Sequence, residues 1–223
     1  MKLVHRDIEQ HFDFAASAVW QLVVEDSKHL YALVNSLFAQ LHGDDGGFVL
    51  SHDNKELKLD GNAYIVFEPF TIDPNISRTV FNKLIASLRT TAYGEEHMQS
   101  TNELMSRISE YTYTLLDAQH YSFDITAGTD FTLDDLLKAL KPHIELPDGS
   151  AAERLVDYFA AVRDLFGIRL FVLPNFSNYL NLTDMNKLAN QIACDGHNVL
   201  FVEKNAVPLS VPTITITSDL SEL

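Results

Sequence analysis

Apolar residues recur at two spacings along this chain, and each change of spacing marks an element. The clearest case is residues 168–203, IRLFVLPNFSNYLNLTDMNKLANQIACDGHNVLFVE. Two short apolar runs, 170–173 and 199–202, flank a segment with apolar side chains at Leu182, Met185, Leu188, Ala189 and Ile192. Spacings of three and four predict a helix between two strands. Thr183 stands at the expected N-cap, Asp184 near the positive helix end, and Asp195-Gly196 supplies a left-handed stop. Strand, helix, strand in this order predicts a right-handed crossover, with both strands buried in a parallel sheet.

Residues 2–13 alternate loosely, as an edge strand or hairpin arm does, and residues 18–24 (AVWQLVV) form a second apolar strand. Ser27 is placed to cap a helix over 28–41, with Leu30, Leu33, Val34, Phe38 and Leu41 on one face. Residues 48–50 and 63–67 read as strands on either side of a polar, hairpin-like segment.

Beyond Pro69 the pattern is helical. Ile76, Val80, Phe81, Leu84, Ile85 and Leu88 make one amphipathic face, and residues 95–117 a longer helix. Thr132 and Asp135 form a T-x-x-D start for a helix ending before Pro142, and a further helix follows through Leu155, Phe159 and Val162. Strands resume at Ile168, and Ile214 and Ile216 mark a last one. The economical arrangement is α/β: a mainly parallel core from residues 1–69 and 167–223, with an all-helical insertion domain over 70–166.

Composition narrows the chemistry. Hydrophobic residues make up 46% and charged residues 21%, as in a soluble globular chain. The apolar runs are too short to span a bilayer and the first residues carry charges before any signal core, so a cytoplasmic location is expected. One cysteine, Cys194, excludes an internal disulfide, and its place at the crossover helix end predicts a packed thiol. The formal net charge of −15 argues against a uniformly phosphate-binding surface but leaves room for a segregated basic strip.

Two strands end in carboxylates, Glu25 and Glu203, where nucleotide hydrolases hold Mg²⁺. No GxxxxGK[ST] accompanies them, so both read as solvated strand ends and a nucleotide-binding enzyme stands only as an alternative. GxGxxG, GxSxG, HExxH and CxxC are also missing, and no catalytic residue can be nominated.

Two stretches do carry chemistry. Residues 74–94 contain no acid in a chain with 31 of them. Arg78, Lys83 and Arg89 fall on the polar half of this helix, a face suited either to phosphate oxygens or simply to solvent. Asp124 and Asp130 bracket a Thr- and Gly-containing loop that continues to Asp134-Asp135. That set suits either a hard cation such as Ca²⁺ or an ordinary turn followed by helix-dipole acids.

The order of elements, together with SNYL (177–180), TDMNKL (183–188), NVLFVE (198–203) and LLKAL (136–140) after an acidic loop, resembles the CRISPR-associated Csn-series adaptation protein of type II-A systems. The resemblance covers most of the chain. It implies a degenerate P-loop-like α/β core without a nucleotide site, and a helical domain. It also implies a non-catalytic homotetrameric ring that threads onto double-stranded DNA ends during spacer acquisition, together with other CRISPR adaptation proteins. Structural Ca²⁺ is part of that expectation. Asp124 and Asp130 match the region of the family's calcium loop, but Thr126, Ala127 and Gly128 stand where more acids are expected, so fewer ions or weaker binding follow. Arg78, Lys83 and Arg89 are assigned to the DNA-facing hole from the helical wheel. A protein-interaction module without DNA binding is the remaining alternative.

Overall fold

The computed structural model describes residues 1–69, 78–128, 130–145 and 148–223. Its chain divides into two compact units, Met1–Asp73 with Glu145–Leu223, and Pro74–Ile144.

In the first unit, strands β3 (Val19–Val24), β6 (Ala63–Ile65), β7 (Leu170–Pro174), β8 (Val199–Glu203) and β9 (Thr213–Ile216) form a five-stranded sheet in the order β6-β7-β8-β3-β9. Every pair in it is parallel. The β7 and β8 runs, buried at every position, are adjacent and joined by α6 (Leu182–Cys194), as their spacing predicts. Side chains alternate between the two faces. Phe171, Leu173, Val199 and Phe201 pack with α6 and with Leu155, Phe159 and Val162 of α5 (Ala151–Phe166). Leu170, Val172, Leu200 and Val202 face Leu30, Leu33 and Leu37 of α1 (Ser27–Leu41).

The same face carries a second, antiparallel sheet, which joins the edge strand or hairpin arm expected over 2–13 to the strand and hairpin-like segment expected from 48 onward. It runs β2 (Ile8–Asp13), β1 (Lys2–His5), β4 (Phe48–His52), β5 (Lys55–Leu57), and contributes Leu3, Phe12, Phe48 and Leu50 to the core. Buried Gln21 of β3 is fully engaged. Its amide donates to the Val207 carbonyl and Thr213 Oγ1, both at 3.1 Å, and its Oε1 accepts the Val207 N–H. This ties the β8–β9 connection to the sheet.

The second unit holds α2 (Arg78–Ala92), α3 (Met98–Asp117) and α4 (Leu133–Leu140). Its buried side chains include Val80, Ile85 and Leu133, and Thr101 Oγ1 bonds the Ala92 carbonyl at 2.8 Å where α2 meets α3.

Several local expectations are corrected. Helix α5, assigned by sequence to the helical block, belongs to the first unit, because its apolar stripe is buried against β7 and α6. Periodicity shows that a helix has an apolar face but not what covers it. The N-cap of α6 is Asn181, whose side chain accepts the Asp184 N–H at 3.0 Å, and Thr183 lies inside the helix. Asp26, not Ser27, caps α1, accepting the His29 N–H at 2.7 Å. Cys194 is exposed rather than packed, since α6 turns it outward at its last position. The expected stop at Gly196 is present at φ 70°, and Thr132 and Asp135 form the full capping box of α4.

Candidate nucleic-acid interface

Helix α2 holds the described part of the acid-free stretch; residues 74–77 of it, including Ile76, lie outside the described residues. Val80 and Ile85 are its buried side chains, and Arg78, Lys83 and Arg89 are exposed. Eleven residues bring Arg78 and Arg89 back into line about 16 Å apart along the axis, with Lys83 about a third of a turn away. Arg89 is not a free cation. Its Nη1 lies 3.0 Å from Asp134 Oδ2 at the start of α4, in a pair whose side chains are 51% and 25% exposed. At that exposure the pair contributes under about 1 kcal/mol, so a phosphate can compete for the guanidinium.

Asp134 is therefore an ion-pair partner, and Asp135 is held by its cap. Hydrogen bonds from the Thr132 hydroxyl and backbone N–H keep the Asp135 carboxyl below the usual carboxylate range. Asp124 and Asp130 are both exposed, in the segment between α3 and α4; Thr129 between them lies outside the described residues. Among the described residues no three His, Cys, Asp or Glu side chains converge as a metal would need. Calcium takes six to eight oxygens, so Asp124 and Asp130 are at most part of a ligand set and do not complete one within this chain's described residues.

The carboxyl edge of the parallel sheet is where open α/β sheets take ligands. Here a cleft of about 410 Å³ is lined by residues including Ser27, Tyr31, Phe67, Glu68, Asn175 and Tyr179, with no lysine or arginine. The N-terminus of α1, which could bind a phosphate, already has the Asp26 carboxylate on its His29 N–H. Glu25 is exposed and accepts the Ser218 N–H at 3.0 Å.

Glu203 departs from its sequence reading as a solvated strand end. It is 0% exposed, and its two oxygens accept the Ser177 N–H at 3.1 Å and the Ser177 hydroxyl. Burial pushes its carboxyl up from the ordinary 4.5, opposed by the Ser177 hydrogen bonds. Both oxygens are thus committed to the turn between β7 and α6. Sequence reasoning missed this pair, because a Glu ending a strand and a Ser 26 positions earlier share no motif.

Three comparisons bear on what the chain is similar to. The family model described as CRISPR-associated protein (Cas_Csn2) matches residues 40–220. Among solved structures, the crystal structure of Stu0660 of Streptococcus thermophilus aligns with a TM-score of 0.53 and 13% identity, covering 92% of this chain and 69% of that one. At that identity the likeness speaks for the fold alone. No curated protein matches.

Proposed function

Because this chain belongs to the Cas_Csn2 family of CRISPR-associated proteins, we propose that it is a non-catalytic subunit of CRISPR spacer acquisition. In this reading a ring-shaped homotetramer binds double-stranded DNA ends without sequence preference, alongside other CRISPR adaptation proteins in the cytoplasm. The observation that carries the reading is the acid-free helix α2, with Arg78, Lys83 and Arg89 exposed on a chain of net charge −15. One such strip is weak. Four copies lining one hole concentrate the positive potential while the outside remains acidic.

Self-association has its own support. Helix α3 is 20 residues long with Thr101 as its buried residue, while Met98, Leu104, Tyr111 and Leu115 are exposed. Leu104, Tyr111 and Leu115 recur at seam spacing, as on a helix that meets a partner. We read the parallel sheet as degenerate P-loop-like and the α2–α4 unit as an insertion between β6 and α5. The missing GxxxxGK[ST] and the Asp26 carboxylate at the α1 N-terminus favour that reading over a nucleotide-binding enzyme. A calcium ion at Asp124 and Asp130 belongs to the proposal only with oxygens from a second copy. A chelator should then lower the solution mass, and an unchanged mass removes the ion.

The test is binding to linear against covalently closed circular duplex of the same sequence, with Ca²⁺ present, across a salt series. Threading predicts that only the linear form is retained. Two to three phosphate contacts per copy give a slope of log K against log salt of about −2 to −3 for one copy and about −7 to −11 for four. Equal retention of the closed circle, or a single-copy slope from an assembled oligomer, refutes the ring reading. Saturable binding of ATP with Mg²⁺ by calorimetry moves the assignment to the enzyme alternative.

A further inference from the structure

The amino edge of the parallel sheet carries a second cavity, of about 330 Å³, on the side opposite the one where such sheets take ligands. Its walls come from separate segments: Arg163 in the last turn of α5, Gly167 and Arg169 leading into β7, Gly196 and His197 leading into β8, and His52 at the end of β4. No carboxylate lines it, in a chain with 31 acids against 16 lysines and arginines.

Its polar groups are short of partners. His197 is only 3% exposed, and its Nδ1 is buried with no hydrogen bond; the Nδ1 of His52 is in the same condition. Buried ring nitrogens without partners are rare and call for an explanation. Arg169 is exposed, and its guanidinium has neither an ion pair nor a hydrogen bond among the described residues. Its backbone is fixed, with the N–H donated to Asn62 O at 2.8 Å and the carbonyl accepting Asn198 Nδ2 at 2.9 Å. The cavity is thus lined by two arginines and two histidines, with the apolar Ile168 and Phe171 and two glycines at φ 75° and 70°.

The geometry points to a binding site for a phosphate monoester, with Arg163, Arg169, His52 and His197 as donors to the phosphate and the attached group lying over Ile168 and Phe171. Guanidinium forks match phosphate oxygens two at a time. The Nδ1 atoms are closed off from the cavity, so it is a neutral imidazole with its proton on Nε2 that adds one donor. Burial, reinforced by Arg163, pushes the His197 imidazole below its ordinary 6.5, which favours that neutral form. Two features oppose binding. Arg163 Nε is already 3.1 Å from Asp164, and Nη1 lies 3.5 Å from the Asp195 carbonyl. The C-terminal turns of α5 and α6 also end on this side and bring partial negative charge. Affinity is therefore expected to be modest and salt-sensitive. This site is independent of α2, so it stands or falls apart from the ring reading.

Calorimetry on the full chain, with inorganic phosphate, 5′-AMP and adenosine as probes, tests it. The expected result is saturable binding of phosphate and 5′-AMP, none of adenosine, and a loss of roughly tenfold in Arg169→Ala, with abolition in Arg169→Glu. Because the Arg169 guanidinium makes no ion pair or hydrogen bond among the described residues and its backbone bonds survive substitution, both variants should keep the wild-type melting transition. Histidine ¹⁵N spectra provide a second readout, in which the Nε2 signals of His197 and His52 should move on adding phosphate. No saturable binding by the wild type, or binding unchanged in Arg169→Glu, overturns the proposal.

Duplexes with and without 5′-phosphates separate the sources of the ligand. An Arg169-dependent preference for the phosphorylated duplex assigns the site to a nucleic-acid end. No such preference, with 5′-AMP still bound, assigns it to a free phosphate ester. Loss of duplex binding in Arg78→Glu with 5′-AMP binding intact keeps the two sites distinct.

Discussion

Replacing Glu203 with glutamine should remove a pH dependence of stability that this one carboxylate imposes. Glu203 is 0% exposed and accepts two hydrogen bonds from Ser177, and burial raises its proton affinity in the folded state. A group whose folded pKa lies above its unfolded value binds more protons in the folded state. Its contribution is therefore full below the ordinary value of 4.5 and declines as pH rises from there through the folded value. Every tenfold gain in proton affinity on folding corresponds to about 1.4 kcal/mol lost across that window. Glutamine has the same shape. Its carbonyl oxygen can accept the Ser177 N–H and its amide can donate to the Ser177 oxygen, with no charge to desolvate. Urea unfolding of wild type and Glu203→Gln from pH 4.5 upward should give a difference that moves in favour of glutamine as pH rises. Glu203→Ala deletes the acceptors altogether. Ser177 is exposed, so water recovers part of its bonding, and the cost should be about 1–3 kcal/mol near pH 4.5, shrinking as pH rises by the same linkage. A wild-type minus Glu203→Gln difference that is flat with pH would falsify the assignment of a buried, proton-hungry carboxylate here.

Three further outcomes follow from single contacts. Asp134→Asn breaks the 3.0 Å pair with Arg89, costs under about 1 kcal/mol of stability, and should tighten duplex binding with a steeper salt slope; weaker binding would take Arg89 out of the interface. Ser150 Oγ accepts the Glu153 N–H and the Ser150 N–H donates to the Glu153 carboxylate in a capping box, so Ser150→Ala should cost about 1 kcal/mol in chemical denaturation, and no loss would mean that α5 starts without its cap. Gly167 closes α5 at φ 75° with open space where a Cβ would stand, so Gly167→Ala should cost about 1–2 kcal/mol from backbone conformation alone; a neutral result would place the residue elsewhere in φ.

What could be read from the sequence depended on how local the cause was. The β7–α6–β8 unit was legible because one continuous stretch carries both buried runs, the helical period and the glycine stop. The cap of α4 was legible for the same reason, since Thr132 and Asp135 sit three apart. The pairing of β1 with both β2 and β4 depends on partners up to 49 residues away, and alternation alone does not choose among them. Helix α5 shows the limit most clearly. Its stripe of Leu155, Phe159 and Val162 looks like any amphipathic helix until Phe171 and Ile192 close over it. At the basic strip, the wheel placed Arg78 and Arg89 in line, but the carboxylate that holds Arg89 comes from a helix 45 residues on. The amino-edge cavity left no sequence signal at all, because His52, Arg163, Arg169 and His197 are common residues on separate segments.

These placements divide the parallel sheet by electrostatics. At its carboxyl edge three backbone donors are met from within: Asp26 accepts the His29 N–H, Glu203 the Ser177 N–H, and Glu25 the Ser218 N–H. Each of these is a carboxylate, so an incoming phosphate would face both missing donors and like charge. At the amino edge the balance is reversed. No carboxylate lines the cavity wall; Asp53 and Asp164 each lie beside a basic side chain of that wall, and Asp195 acts on His197 from outside the lining. A phosphate group therefore finds unsatisfied donors on the edge where fold alone would not look for them. The edge where fold would look offers aromatic and acidic walls suited to a neutral or cationic contact. In a chain of net charge −15, where basic residues are left without partners says more about phosphate binding than the general address of ligand sites in α/β sheets.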